Sequence, residues 1–278
     1  MKERLQKILS QAGLGSRRAT EEWIEKGLVR VNGIVAKLGD SAGPEDKISV
    51  NDKLIKNPLA EQEKIRILLY HKPIGEICSR SDPDHLQTVF DNIPSVKNGR
   101  WVMVGRLDIN TSGLLIFTTS GELANQLMHP KFELEREYAV RVHGDVTASI
   151  VKKLKQGVQL EDGLAQFKHI EFRGGEGTNS WYHVILTEGK NREVRRLWES
   201  QNIEVSRLIR IRYGKFELPR SLSRGQFREL SAKEVEAFLS LYLPQKIITS
   251  KSTVPKNTRI TGAITTMLSR KPTPKKRK

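Results

Sequence analysis

Cysteine is nearly absent from this chain, and acid is well short of base. One cysteine, Cys78, stands among 278 residues, so no internal disulfide forms and a stapled secreted scaffold is excluded. The six histidines, His71, His85, His129, His143, His169 and His183, never fall three to five apart, the spacing of a metal-binding helix. No apolar run approaches the ~18 residues of a membrane span. The opening MKERLQKILS lacks the apolar stretch of a secretory signal. Neither a Walker loop nor a dinucleotide fingerprint occurs. These absences lead us to expect a cytoplasmic protein with no metal, no cofactor and no membrane partner.

What is abundant is positive charge. Lys and Arg number 48 against 32 Asp and Glu, a net charge of +16, while 37% hydrophobic residues suffice for a packed core. Ten of the basic residues, and no acidic one, lie in 246–278, which ends in KPTPKKRK and has no aromatic residue. Such a segment buries too little surface to offset its ordering entropy. We expect a disordered basic tail, serving either as an arm on phosphates, sensitive to salt, or as a solubilising extension; one-sided charge favours the arm.

Leu5, Ile8, Leu9 and Ala12 recur at the spacing of an amphipathic helix that Gly13 stops. Ser16 is placed to cap a second helix, RRATEEWIEK, closed by Gly27. VRVNGIVA follows, with Asn32-Gly33 as a hairpin turn between strand-forming flanks. Two helices and a small sheet thus fill about the first 55 residues. Lys7, Arg17, Arg18 and Arg30 suit either a phosphate-binding face or a solvated surface. NPLAEQEK, 57–64, has no apolar periodicity and reads as a linker.

Beyond it, RILLYHKPIG, WVMV, LLIFTT, REYAVRVHG, WYHVILT and VSRLIRIRYG read as strands. GELANQLM, TASIVKKLKQG, NREVRRLWES and SAKEVEAFLSLYL read as helices, the last with a Ser231/Glu234 capping box. No βαβ regularity joins them, so a mixed α+β domain is predicted. The expected division is 1–60, 64–245 and 246–278.

GRLDINTSGLLIFTTSGELANQLMHP, from Gly105 to Pro130, is the most informative stretch. A polar turn holding Arg106, Asp108, Asn110, Thr111 and Ser112 joins two strands, and function tends to sit on such turns. From local sequence Asp108 reads as a turn-capping carboxylate, a metal ligand or a nucleophile. The cap is favoured, and no neighbouring ligand supports a metal.

GRLDINTSGLL resembles the signature motif of the RsuA/RluB family of pseudouridine synthases, as do HKPIG, with His71 where Asn is frequent, and LTEGKNREVRRLWE. RLQKILSQAGLGSRRATEEWIEKGLVRVNGIVAKLGD, from Arg4 to Asp40, resembles the S4 RNA-binding domain. Together the likeness covers about residues 3–245. EREYAVRVHG, GVQLEDG and VSRLIRIRYG are most similar to the members acting on the large ribosomal subunit.

The resemblance implies an S4 domain followed by a mixed, mainly antiparallel sheet with flanking helices. It implies an isomerase that breaks the bond from uracil N1 to ribose and rejoins the base through C5. Its substrate would be a uridine of domain V of 23S ribosomal RNA, free or in an assembly intermediate, and the protein is expected to be a monomer. Modification of 16S RNA, or RNA binding without catalysis as an assembly factor, are the alternatives. An aspartate, of ordinary pKa about 3.9, is ionised at neutral pH and needs no partner base to be a nucleophile. The family motif assigns that role to Asp108, without fixing whether C1′ or C6 is attacked. It assigns Arg195 as the aspartate's partner and Tyr138 as the residue against the uracil ring. Core packing for Tyr138 and a solvated helix face for Arg195 are the plain alternatives. Arg106 matches the residue supporting the flipped base. Arg192 and Arg196, with Lys7, Arg17 and Arg18, are the remaining expected RNA contacts. Cys78 reads as packing, and Leu197 and Ile116 as pocket wall or core.

Overall fold

A computed structural model describes residues 2–60, 64–80, 87–97 and 99–243. The basic tail and the middle of the expected linker lie outside the described residues.

The N-terminal unit comprises β1 (Glu3–Arg4), α1 (Leu5–Gln11), α2 (Arg17–Glu25), β2 (Val29–Val31), β3 (Ile34–Val35), β4 (Ser41–Ala42), β5 (Ile48–Val50) and β6 (Lys53–Leu54). The predicted apolar stripe is its core: Leu5, Ile8, Leu9, Ile24, Val29 and Ile48 are buried together. Ser16 Oγ accepts the Ala19 amide at the start of α2, satisfying one of the orphan donors of a helix N-terminus. Asn32 and Gly33 both take positive φ, 53° and 85°, the requirement of a two-residue turn matching strand twist. Four of its strands form a sheet in the order β3-β2-β5-β6, and β1 pairs with β4. The start of the expected linker belongs to this unit. Asn57 is buried, donates to the carbonyls of Gly43 (2.9 Å) and Asp46 (3.0 Å), and Leu59 packs on the same core.

The second unit is built on β7 (Ile67–Lys72), β8 (Val102–Val104), β9 (Ser112–Thr118), α3 (Gly121–Met128), β10 (Arg136–His143), α4 (Ala148–Gln156), β11 (Val158–Leu160), β12 (Gly163–Ala165), β13 (His169–Glu176), β14 (Asn179–Leu186), α5 (Glu193–Glu199), β15 (Glu204–Tyr213), β16 (Phe216–Glu217), β17 (Phe227–Glu229) and α6 (Ala232–Tyr242). A nine-stranded sheet runs β13-β14-β10-β15-β9-β7-β17, with β16 on β15 and β8 on β9. All its pairs are antiparallel except β15 with β9. The mixed α+β expectation is met. Every residue of β9 is buried, as a strand covered on both faces requires.

Among the described residues three apolar clusters pack on the sheet, one of them Leu68, Tyr70, Val89, Trp101, Leu115 and Phe117 on the far face of β7 and β9; the other two lie beneath the helices. Of these two, one gathers Val140, Leu154, Phe167, Val184, Leu197 and Trp198 beneath α4 and α5; the other gathers Ile67, Leu114, Ile116, Leu127 and Tyr213 beneath α3 and α6. Leu197 and Ile116 are therefore core. The α6 capping box forms, Ser231 Oγ accepting the Glu234 amide and Glu234 accepting from Ser231. β11, β12 and β13 carry too little apolar alternation to be read from the sequence: Phe172 is exposed, and the β13 pattern breaks at a bulge before Gly175.

The two units touch. Arg100, in the loop before β8, donates to the Gly15 carbonyl (2.9 Å) and to Ser10 Oγ. Gly13 lies against Gly99 so closely that a Cβ there would meet the Gly99 oxygen at 2.6 Å.

Candidate active site

The turn between β8 and β9 carries Asp108 at the edge of a cavity of about 760 Å³. Four carbonyls in succession are bonded from outside the turn or across it. Lys72 Nζ donates to Asp108 O (3.2 Å) and Thr111 O (3.0 Å), and the Thr111 amide closes on Asp108 O at 3.0 Å. The Gly75 amide reaches Ile109 O at 2.9 Å, and Arg195 Nη2 reaches Asn110 O at 2.9 Å. The Leu107 amide points at Cys78 Sγ, 3.3 Å away. Thus the backbone of the turn is fixed through its main chain. The half-buried Asp108 carboxylate accepts no hydrogen bond among the described residues. It does not cap the turn it sits on.

Cations surround this turn, and they too are held by carbonyls. Lys72 is fully buried and bonds Pro73 O (2.9 Å) besides its two turn carbonyls; burial holds its pKa below the usual lysine value, against the pull of Cys78, Glu76 and Asp108. Arg195, 8% exposed, spans Val205 O (2.8 Å) and Asn110 O. Its Nε is buried without a partner. Burial and then Arg192 lower its pKa while Asp108 opposes them. Arg195 therefore feels the aspartate's charge but makes no direct ion pair with it among the described residues, and holds the backbone two residues beyond.

Arg210, 2% exposed, donates from Nε to Leu114 O (2.8 Å) and lies 5.1 Å from the Tyr213 ring centre. Arg136 Nη1 bonds Thr187 O (2.8 Å) and Glu188 O (3.1 Å), and its Nη2 meets Tyr213 Oη (3.1 Å). Both line the cavity. Neither has a carboxylate partner among the described residues, so the cavity keeps a positive field suited to an anionic polymer.

Tyr138 lines the cavity at 9% exposure. A β-bulge lies beside it: Glu137 opposes Arg212 while Tyr138 opposes Arg210. Such a bulge re-aims the side chains next to it. Opposite Arg210 on β9 stands Gly113, at φ +112°, where a Cβ would meet Arg210 O at 2.3 Å. Only glycine lets β15 approach the turn so closely.

Arg106 and Arg192 are exposed residues lining the cavity; Arg192 takes a left-handed φ of 47° where α5 begins. Cys78 also lines it, with its thiol pushed up by burial. Arg196 is elsewhere. It grips Asp162 with two bonds, 2.8 and 2.7 Å, and does not line the cavity. On the N-terminal unit Lys7 pairs with Glu3 at 2.6 Å, while Arg17 and Arg18 are exposed on α2.

Lys72, Arg136, Arg210 and Glu193 escaped the sequence reading. Glu193 is 3% exposed on the cavity wall, with Oε2 on the Lys190 amide (3.1 Å) and Oε1 lacking a donor. Burial, and then neighbouring Glu188, push its pKa up to about 8.

A two-helix unit with a small sheet, joined to a mixed sheet whose central turn offers one free carboxylate to a cationic cavity, defines a class. Residues 66–200 match the family model described as RNA pseudouridylate synthase, and residues 3–48 match the S4 domain. The chain belongs to the pseudouridine synthase family, RNA isomerases, in the form that carries an N-terminal S4 domain. It is similar to the ribosomal large subunit pseudouridine synthase B of Escherichia coli K12, with 52% identity over 261 residues covering 93% of this chain and 90% of the relative. The synthases of the same name from Yersinia pestis and Pseudomonas aeruginosa are 55% and 53% identical over 235 residues, 84% of this chain. The chain spans 74% of the length of the first and 61% of the second. A crystal structure of a pseudouridylate synthase superposes with a TM-score of 0.57 at 26% identity, over 84% of this chain and 98% of that one.

Proposed function

We propose that this synthase isomerises a uridine of 23S ribosomal RNA, within domain V near the peptidyl-transferase region, with Asp108 as the nucleophile. The observation that carries the reading is the Asp108 turn: its main chain is bonded from both sides while its carboxylate is left unengaged at a cationic cavity. The chemistry breaks the N1–C1′ bond and forms C5–C1′; N1 gains a proton and the hydrogen on C5 leaves to water. No electrons are gained or lost.

Tyr138, on the cavity wall, lies against the uracil ring. Arg195 sets the turn that presents Asp108 and offsets its charge. Arg106 and Arg192, exposed at the cavity, hold the extruded nucleotide and its phosphates, offsetting an unstacking cost of a few kcal/mol. The N-terminal unit, residues 1–60, holds structured RNA through Arg17 and Arg18. Residues 64–245 catalyse, and 246–278 form the basic tail, with ribosomal RNA or an assembly intermediate as partner in the cytoplasm. Among the described residues no helix is long and apolar enough to cross a membrane. The names of the relatives favour the large-subunit RNA over 16S.

The test is tritium release from 5-tritiated uridine in unmodified 23S and 16S transcripts and in partly assembled subunits. Release from 23S substrates is expected. Release from 16S alone would transfer the assignment to the small subunit, and tight binding without release from any RNA would favour an assembly factor.

A further inference from the structure

A second cavity, of about 260 Å³, opens beside the catalytic one and shares Cys78, Ser79 and Met103 with it. Its other lining residues are Arg80, Phe90, Arg100, Trp101 and Val102. Arg80 stacks its guanidinium over Phe90, 4.2 Å from the ring centre, and donates to the Trp101 carbonyl. Arg100 reaches across to the N-terminal unit at Gly15 and Ser10. The second cavity therefore sits where the S4 unit meets the catalytic body.

Among the described residues neither Arg80 nor Arg100 forms an ion pair with a carboxylate, and none of those lining the cavity is acidic. Partial burial lowers the pKa of both guanidiniums, and Arg100 is further lowered by repulsion from Arg80 and Arg17. Bringing Arg80 and Arg100 together at one cavity costs free energy that a bound anion would offset. A guanidinium presents five N–H donors in a planar fork suited to phosphate oxygens. Main-chain and hydroxyl contacts use one donor of Arg80 and two of Arg100.

We infer that this groove is a phosphate subsite for the substrate RNA, in which Arg80 and Arg100 carry the strand between the S4 unit and the catalytic cavity. The inference rests on the proposed function in taking RNA as the substrate, and it assigns a path that the Asp108 site does not require. The contact is with the backbone and is therefore indifferent to sequence.

The experiment uses the full chain and the variants Arg80→Gln and Arg80→Ala. Arg100 is left intact because it also joins the two units. Affinity for a 23S fragment and for an unrelated stem-loop is measured by fluorescence anisotropy across a series of salt concentrations. Single-turnover tritium release at saturating RNA, and thermal unfolding, are followed in parallel. Each variant is expected to weaken both RNAs several-fold at physiological salt. Each should reduce the slope of log affinity against log salt by about 0.7–0.9 for every phosphate that is no longer neutralised, with the single-turnover rate and melting temperature unchanged. Arg80→Lys, which keeps the charge, should restore most of the slope. Unchanged slopes and affinities in a wild type that releases tritium would overturn the subsite and leave the enzyme assignment standing. Falling slopes in a wild type that releases no tritium would support the subsite and remove the proposed reaction.

Discussion

Lys72 Nζ sits 3.2 Å from the carbonyl oxygen of Asp108, not on its carboxylate. The same ammonium holds Pro73 O and Thr111 O. A cation at the end of β7 thereby fixes the backbone of the Asp108 turn and adds positive charge behind it, at the expense of burying an ammonium that its own pKa resists. Replacing it tests whether that fixing matters. Lys72→Met keeps the stem but leaves the Pro73 and Thr111 carbonyls without this donor, at about 1–3 kcal/mol for each group left unsatisfied, partly offset by removing a buried charge. Unfolding in denaturant should report a net loss of stability. Turnover should fall about a hundredfold, the effect of a displacement of order 1 Å in a catalytic group. Wild-type turnover in a folded Lys72→Met protein would show that the turn holds itself.

Gly113 faces the same turn from the other side. With φ at +112° and Arg210 O only 2.3 Å from where a Cβ would stand, Gly113→Ala must push β15 away from β9. A loss of about 3 kcal/mol or more is expected, from combined backbone strain and overpacking. Thermal unfolding checks it, and a melting temperature within a degree of wild type would contradict the close approach.

Glu193 gives the molecule a pH dependence. Folded, it keeps its proton up to about pH 8, because it is buried beside Glu188, whereas its ordinary value is 4.5. Between these values the folded state binds more protons than the unfolded one. The contribution to stability is thus complete below about pH 4.5 and is lost as pH rises through about 8. Glu193→Gln, neutral at every pH, should flatten this decline. Denaturant unfolding at pH 5, 7 and 9 measures it; parallel curves for the two proteins would place the proton elsewhere.

Arg196 illustrates the difference between a motif and a site. It stands next to Arg195 in the same basic run, where the sequence reading makes Arg195 the partner of Asp108 and Arg196 an RNA contact. Helical geometry separates them: one residue along a helix turns the side chain by about 100°, so Arg195 points inward to Asn110 O and Arg196 outward to Asp162. Arg196→Gln should leave RNA affinity and turnover within twofold of wild type. A tenfold loss in either would return it to the substrate.

The elements built on strong periodicity or explicit caps were legible in the chain itself: the Leu5, Ile8, Leu9 stripe, the Ser16 and Ser231 caps, the Asn32-Gly33 turn and the buried β9. The Asp108 turn was legible as a polar island between apolar strands. Its supports were not. Lys72, Arg136 and Arg210 act on carbonyls that tertiary folding brings to them from as far as 96 residues away, and a cation bound to main chain leaves no pattern in its neighbours. The Arg195 contact also differs from a simple reading of charges. A partner for Asp108 was expected at the carboxylate, whereas the guanidinium is taken by Asn110 O and Val205 O. Strands β11 to β13 stayed hidden because their exposed faces break the apolar alternation.

The central claim is that the turn is held by its main chain so that the Asp108 carboxylate is free for chemistry. Asp108→Asn tests it most directly, with thermal unfolding and tritium release from 5-tritiated 23S RNA measured on the same preparation. The account predicts a melting temperature within about a degree of wild type, since the carboxylate accepts no hydrogen bond among the described residues, together with complete loss of release. Retained release would contradict the nucleophile, and a melting temperature several degrees lower would show that the carboxylate belongs to the structure of the turn.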